Sequence, residues 1–382
     1  MLINCDIIAI TYHLEGEGVG MIKFIHTGDL HLGLQFRNAG FHKDKAKARR
    51  AELWNTFERI VHKAFEDEVD FLFIAGDLFE EEYFTLGDMK RLRDNLDKAS
   101  NVEIIIVAGN HDPLRENSLY NRVDWPKHVT IFTPGEIGEK EFIDKNVVVY
   151  GYSWDDVKDQ TNIFAKFPGV DKDRINILIL HGDIFNRDSI YLPLDRKLLE
   201  SIGFDYVGLG HIHKPILFSN KMAYCGSPEP LNFAEVGIRG IIEGIIDKNG
   251  TDIRLIPFSR RMFLEKTLTI NGTMGYVDIM DRIREIDEES NRKANLYRVI
   301  LKGVVDRDLD LNLEDMARDL SDYFYHIELI DDTVIDYDLE ALEDANKDNI
   351  IGYFIREMKN KDLEDKLIRD ALYIGLDALM KG

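Results

Sequence analysis

The sequence predicts an α/β protein with a smaller α+β part behind it. Two observations carry this. Through about residue 260, short runs rich in β-branched residues alternate with helical stretches, as when strands and helices share one core. The acidic, amide and imidazole side chains that could carry chemistry also fall just past those runs, where open α/β sheets hold their ligands.

The elements follow in order. Ile22–His26, Phe71–Ala75, Glu103–Ala108, Val147–Tyr152, Ile175–Leu180 and Tyr206–Leu209 are short apolar runs, expected as strands buried on both faces. Between the first two, a helix is expected roughly from Ala46 to Glu68, with Leu53, Phe57, Ile60, Val61 and Ala64 on one stripe. Strands near Met222–Cys225, Gly240–Ile246 and Thr251–Leu255 follow one another through turns such as Lys248-Asn249-Gly250, which predicts a hairpin-rich second sheet. A composition shift at Phe258–Phe263 marks a boundary, so a core of residues 21–260 is expected. Residues 261–340 mix strands (Leu264–Ile270, Tyr297–Leu301, Ile327–Ile330) with helices (Val277–Glu289, Leu313–Tyr323), an α+β domain. Residues 341–382 form a helical segment. Within it, Leu363, Leu367, Ala371, Ile374 and Ala378 keep helical spacing along Asn349–Lys381.

Composition narrows the classes. The 382 residues are 45% hydrophobic and 31% charged, ordinary for a globular protein. No apolar run approaches the ~20 residues of a membrane span. Two cysteines, Cys5 and Cys225, stand outside any zinc-type spacing, so a cytoplasmic location is expected. Residues 1–20 have no signal-peptide pattern. Met21 leads directly into IKFIHTGDLHLG, so translation is expected to start at Met21, with residues 1–20 a non-native extension. Net charge is −22. Residues 271–382 carry 28 acidic and 15 basic residues, a net of −13, which leaves −9 for the rest. Such acidity opposes phosphate contacts in bulk, but it does not decide a local cleft.

Five short motifs carry the chemistry: GDLHLG with Asp29 and His31, GDLFE with Asp77, GNHD with Asn110 and His111, LHGD with His181, and GHIHKP with His211 and His213. The glycines beside them, Gly28, Gly76, Gly109, Gly182 and Gly210, are expected to let the backbone turn sharply onto one rim. Asp29, His31, Asp77, Asn110, His181, His211 and His213 make seven oxygen and imidazole ligands. That is enough for two divalent ions, with Asp77 able to bridge them. The mixed set suits Mn²⁺, Fe²⁺ or Zn²⁺ better than Mg²⁺ or Ca²⁺. Two such ions ~4 Å apart activate water and clamp phosphate oxygens. Two ions, two aspartates and one shared hydroxide leave the site at about +1, which attracts a phosphodiester even in an acidic chain. His111, beside Asn110, is the candidate proton donor to a leaving oxygen, and Asp112 the candidate to orient it.

These motifs, together with YCGSPEPLNFAE, resemble in order those of the calcineurin-like metallophosphoesterases, and within them the SbcD-type DNA double-strand-break nucleases. The resemblance spans about residues 21–260 and weakens beyond, where residues 264–382 look closest to the Firmicutes-type branch of these nucleases. It implies a two-sheet αββα sandwich with a C-terminal capping domain. One metal would use Asp29, His31, Asp77 and His213, and the other Asp77, Asn110, His181 and His211. It further implies manganese-dependent exonuclease or endonuclease activity in DNA end processing and repair. DNA, an SbcC-type coiled-coil ATPase docking on the helical segment, and a second copy of the chain would be the partners. There are two departures. Glu80 stands where some relatives carry a second catalytic histidine, and Cys225 where proline is common. Lys43, Lys45, Lys47, Arg49, Arg50, Arg115 and Lys214 are the candidate contacts to DNA phosphates. His26 is expected to be a packed histidine. The competing functions are a small-substrate phosphodiesterase or phosphatase with the same metals, and a DNA-end scaffold with weak hydrolysis. LFEEEY lacks the arginine of the protein phosphatases, which counts against that branch.

Overall fold

The computed structural model describes residues 20–37, 41, 43–363 and 365–381. The expected N-terminal extension lies outside the described residues, apart from Gly20. The chain divides into two compact units. One takes the described residues of Met1–Glu229 and Arg239–Arg260, and the other takes Pro230–Ile238 and those of Arg261–Gly382.

The first unit runs β1 (Ile22–Thr27), α1 (Lys43–Glu66), β2 (Phe71–Ala75), α2 (Leu86–Asp97), β3 (Glu103–Val107), β4 (Val129–Ile131), β5 (Gly138–Phe142), β6 (Val147–Gly151), β7 (Ile175–His181), α3 (Arg196–Ile202), β8 (Tyr206–Gly210), β9 (Ile216–Ser219), β10 (Met222–Tyr224), β11 (Gly240–Asp247) and β12 (Gly250–Pro257). Two six-stranded mixed sheets result, in the orders β12-β11-β1-β2-β3-β4 and β5-β6-β7-β8-β10-β9. Their inner faces share one core: Phe24, Phe71, Phe73 and Val107 from the first sheet meet Val147, Val149, Ile177, Ile179 and Tyr206 from the second. Alternate residues point outward. Leu178, Leu180, Val207 and Leu209 pack with Leu199 of α3 on the far side, and α1 packs against β2 and α2. This is the two-sheet α/β sandwich the sequence predicts.

One expectation is corrected. The β11–β12 hairpin does not build the second sheet; it extends the first, with β11 antiparallel to β1. It thereby covers a strand that would otherwise end the sheet beside the motif loop, an edge open to foreign pairing. Only β9 and β10 join the second sheet. Helix α2 was not anticipated, although Thr85 caps it with a Thr85/Asp88 capping box and Met89, Leu92 and Leu96 are buried at helical spacing.

The second unit runs β13 (Phe263–Ile270), α4 (Tyr276–Arg284), α5 (Glu289–Ala294), β14 (Leu296–Asp306), α6 (Leu313–Asp319), β15 (His326–Asp336), α7 (Leu339–Ala345), α8 (Ile350–Lys359) and α9 (Lys366–Lys381). Its three strands are parallel, in the order β13-β14-β15. Ile279, Met280, Ile283, Met316 and Leu320 cover the sheet. The expected single helix Val277–Glu289 is two, α4 and α5. The expected helix Asn349–Lys381 is also broken, because α8 ends at the Asn360 cap and α9 begins at Lys366. Ile355, Met358, Leu372 and Leu376 then close a small helical core. Among the described residues, no helix is long and apolar enough to cross a membrane.

Candidate metal centre

All five motifs lie at the carboxyl ends of parallel strands, three in the first sheet and two in the second. The loops after β1 and β2 run side by side. Asp29, His31 and Leu32 donate their backbone N–H to the carbonyls of Gly76, Asp77 and Leu78, and Glu80 donates back to Leu32. The sharp turns are made largely by the polar residues themselves. Asp29, His31, Asp77 and His211 have φ of 48°, 46°, 49° and 99°, the left-handed region that side chains avoid unless their surroundings hold them there. Of the five adjacent glycines only Gly76 shares this conformation, at φ 84°. The expectation that all five serve as turns is therefore corrected. Gly109 and Gly210 are required by close approach instead. A Cβ on Gly109 would stand 2.3 Å from Asp77 Oδ1, and one on Gly210 would stand 1.8 Å from the Ala75 carbonyl.

Asp29, His31, Asp77 and His213 bring ligand atoms within 4.8 Å of one another. The Nε2 atoms of His31 and His213 are 3.1 Å apart, and Asp77 Oδ2 lies 3.7 Å from the first. Beside them, His181 Nε2 is 3.0 Å from Asn110 Oδ1 and 3.4 Å from Asp77 Oδ2. The His211 ring is 5.2 Å from that of His181. His181 Nδ1 donates to the Ala75 carbonyl at 2.9 Å, which turns its Nε2 toward Asp77 and Asn110. Lone pairs from imidazoles, an amide and carboxylates thus converge from several sides on buried space. Such a donor set fits cations and leaves electron-rich atoms crowded without one.

The buried carboxylates and imidazoles shift one another. Burial opposes ionisation of Asp77, but His181, His31 and His111 around it hold its carboxyl well below the ordinary range. Burial pushes Asp29 up. It also tends to lower His181, but the Asp77 and Asp29 carboxylates overcome it and raise that imidazole to about 9. His211, desolvated and facing His181, falls to about 4.

His111 is half-exposed. Its backbone N–H donates to Asp77 Oδ1 at 2.9 Å, and its Nδ1 donates to Glu80 Oε2 at 2.9 Å. That second bond raises the imidazole against the burial that would lower it. Glu80 also accepts from Nδ1 of His31 at 2.7 Å. Burial would raise the Glu80 carboxyl, but the bonds from His111 and His31 bring it to about 2. Asp112 does not orient His111. It is fully buried and accepts from the N–H groups of Asp77, Leu78 and Gly109 and from the Tyr120 hydroxyl, so it holds two motif loops together through their backbone. Trp154 is a contributor that the sequence did not single out. Its indole N–H donates to the His181 carbonyl at 2.7 Å, and its backbone N–H donates to Ala108 just before GNHD. The signal was a tryptophan directly after an apolar strand.

The basic candidates separate. Arg49 cannot reach DNA: it is fully buried on α1 and paired with Glu52 and Glu229, because α1 turns that position onto its packed face. Arg50 is half-buried and donates to the Gln35 carbonyl. Arg115 pairs with Glu81 and Asp156. Lys43, Lys47 and Lys214 are exposed, and Lys45 is half-buried, which lowers its ammonium. His26 is fully buried, with Nδ1 on the Tyr206 hydroxyl, and burial lowers it to about 3, in keeping with a packed histidine. Cys225 is buried as well.

A family model described as calcineurin-like phosphoesterase matches residues 22–215, a span holding all seven candidate ligands. YhaO of Bacillus subtilis, described as an uncharacterized metallophosphoesterase, is 29% identical over 237 residues, covering 57% of this chain and 56% of that protein. The DNA double-strand break repair protein Mre11 of Haloferax volcanii is 28% identical over 280 residues, covering 70% of this chain and 59% of that one. The chain therefore spans under two thirds of the length of both curated relatives. Among solved structures, TT1561 of Thermus thermophilus aligns with a TM-score of 0.38 at 10% identity, covering 62% of this chain and 99% of that one.

Proposed function

The chain belongs to the calcineurin-like phosphoesterase family, and from that premise we propose that it is a manganese-dependent DNA nuclease acting in end processing and repair. The observation that carries this reading is the rim of buried Asp29, His31, Asp77 and His181 and half-buried Asn110, His211 and His213, with half-exposed His111 beside it. Similarity to a double-strand break repair protein over 70% of the chain supports DNA as the substrate class.

One ion would be held by Asp29, His31, Asp77 and His213, and a second by Asp77, Asn110, His181 and His211. Bound divalent ions supply positive charge to phosphate oxygens and lower the pKa of water. The chain's own residues do the rest. Asp77, bonded to the His111 N–H through Oδ1, ties the ligand set to the proton donor. His111, held at Nδ1 by Glu80, would present Nε2 to the leaving oxygen and, as the imidazolium, protonate it, returning to the neutral form with its proton on Nδ1. Lys43, Lys47 and Lys214 are exposed cations able to meet the DNA backbone. The C-terminal helices bear exposed Tyr353, Leu367 and Ile374, which supports docking of a coiled-coil ATPase. A dimer spanning the DNA belongs to the same reading.

The test is direct. Purified protein with Mn²⁺ is expected to degrade linear or hairpin duplex DNA, and His111→Ala to abolish this while metal is still bound. Hydrolysis of bis-p-nitrophenyl phosphate without any DNA cleavage, even with the ATPase added, would replace the nuclease reading with a small-substrate phosphodiesterase.

A further inference from the structure

Glu80 follows β2 within a few residues and is nearly buried. Its backbone is fixed on both sides: its N–H donates to Leu32, and its carbonyl accepts from Tyr83 and Phe84. Its two carboxylate oxygens serve two different imidazoles. Oε1 accepts from His31 Nδ1 at 2.7 Å, and Oε2 accepts from His111 Nδ1 at 2.9 Å. The two rings meet edge to face, 4.8 Å apart at 80°.

Neutral imidazole carries one ring proton, and a carboxylate against Nδ1 keeps it there. The lone pair of His31 is then on Nε2, the atom facing His213 Nε2 and Asp77. For His111 the same bond fixes the ring plane and leaves Nε2 as the outward atom, which donates when the ring carries a proton on both nitrogens. At 2.7 and 2.9 Å the Nδ1–Glu80 contacts are hydrogen bonds, so these three residues, though close enough to suggest a cation cage, are joined by protons.

We propose that Glu80 is a positioning residue that sets the ligating atom of His31 and the orientation of His111 at once, so that metal uptake and proton delivery depend on one carboxylate. This rests on reading the rim as a metal-dependent phosphoesterase site. Outer carboxylates on metal-bound histidines commonly contribute ~10–100-fold in metal affinity. Glu80 differs in dividing its two oxygens between a metal ligand and the proton donor. A histidine at this position could not accept from both rings at once.

Glu80→Gln keeps the size but replaces one acceptor with a donor, so one imidazole must turn or move its proton to Nε2. Mn²⁺ affinity is measured by calorimetry. Turnover at saturating Mn²⁺ is measured on a dithymidine phosphodiester, whose alkoxide needs a proton, and on bis-p-nitrophenyl phosphate, whose phenolate does not. The expected result is Mn²⁺ affinity lower by ~10–100-fold and a loss on the dinucleotide at least ~10-fold greater than on the aryl ester. Glu80→Asp, which retains both acceptors, is expected to recover part of each, and it serves as the test variant if the glutamine form does not fold. Unchanged Mn²⁺ affinity, or equal loss on both substrates, would overturn the proposal. If wild-type protein hydrolyses only the aryl ester, the nuclease reading falls, and Glu80 is then judged on Mn²⁺ affinity alone.

Discussion

At the residue scale, the site depends on atoms with no room to move. Asp77 is touched by the His111 N–H, lies 3.4 Å from His181 Nε2, and has Gly109 pressed against it. Gly109→Ala would drive a methyl into Asp77, both side chain and backbone, and its neighbours are motif loops rather than flexible side-chain ends. We expect phosphodiester hydrolysis to fall by ~100-fold or more, the scale at which sub-ångström misplacement of reacting groups is felt. Gly87→Ala, with only Thr85 Oγ1 at 3.5 Å, is expected to keep wild-type rates and serves as the control. The seven candidate positions were legible because each follows an apolar run and chemistry concentrates at strand ends. The roles of Asp112 and Glu80 were not. Both sit beside candidate ligands in sequence, and only the folded loops decide which carboxylate meets backbone N–H groups and which meets imidazoles.

At the element scale, α1 shows how far periodicity reaches. Its apolar stripe was readable, and Arg49 stands one helical turn before Leu53 on that same stripe, so its burial was readable too had spacing been weighed above charge. There it meets Glu52 and Glu229, and Glu229 also accepts from the Thr56 hydroxyl at 2.7 Å and from the Arg260 backbone. Arg49→Ala would remove the guanidinium that neutralises buried Glu229 and Glu52, although Arg260 Nε still stands 3.5 Å from Glu52. We expect destabilisation by ~3–5 kcal/mol, the usual result of breaking a buried pair from one side, read as a lower denaturant midpoint. Lys43→Ala and Lys47→Ala, on the exposed face of the same helix, are expected to leave that midpoint unchanged. Under the proposed nuclease reading they are expected to weaken DNA binding uniformly across sequences and to reduce its salt dependence by about one unit of slope for each phosphate no longer neutralised. The β11–β12 hairpin marks a limit of local reading. Its turn was evident, but whether it extends one sheet or another depends on pairing between Ile22 and Ile246, across most of the first unit.

At the scale of the whole molecule, the two units are expected to respond to different conditions. Divalent ions that bind only the folded first unit stabilise it by mass action, ~2.7 kcal/mol at a hundredfold excess over Kd. After chelation its melting transition is expected to drop, and to rise again with added Mn²⁺ in a concentration-dependent way, while the transition of the second unit stays in place. The second unit is expected to be acid-sensitive. Burial would raise the Glu328 carboxyl, but hydrogen bonds from His326 and Arg298 hold it below its ordinary value. Its contribution is therefore present above the unfolded carboxylate pKa of about 4.3 and disappears as pH falls through the lower folded value. Glu328→Gln should flatten the acid limb of that unit's melting curve, and an unchanged limb would sink this assignment. The sequence by itself determined the α/β class, most strand positions and where the candidate ligands stand along the chain, because these follow from local apolar runs and from side-chain chemistry. Only the tertiary structure decided the sheet that receives the last hairpin, the excursion of Pro230–Ile238 into the second unit, the burial of Arg49 and the two partners of Glu80. Each depends on groups far apart in the chain, brought together when two sheets bury a common face.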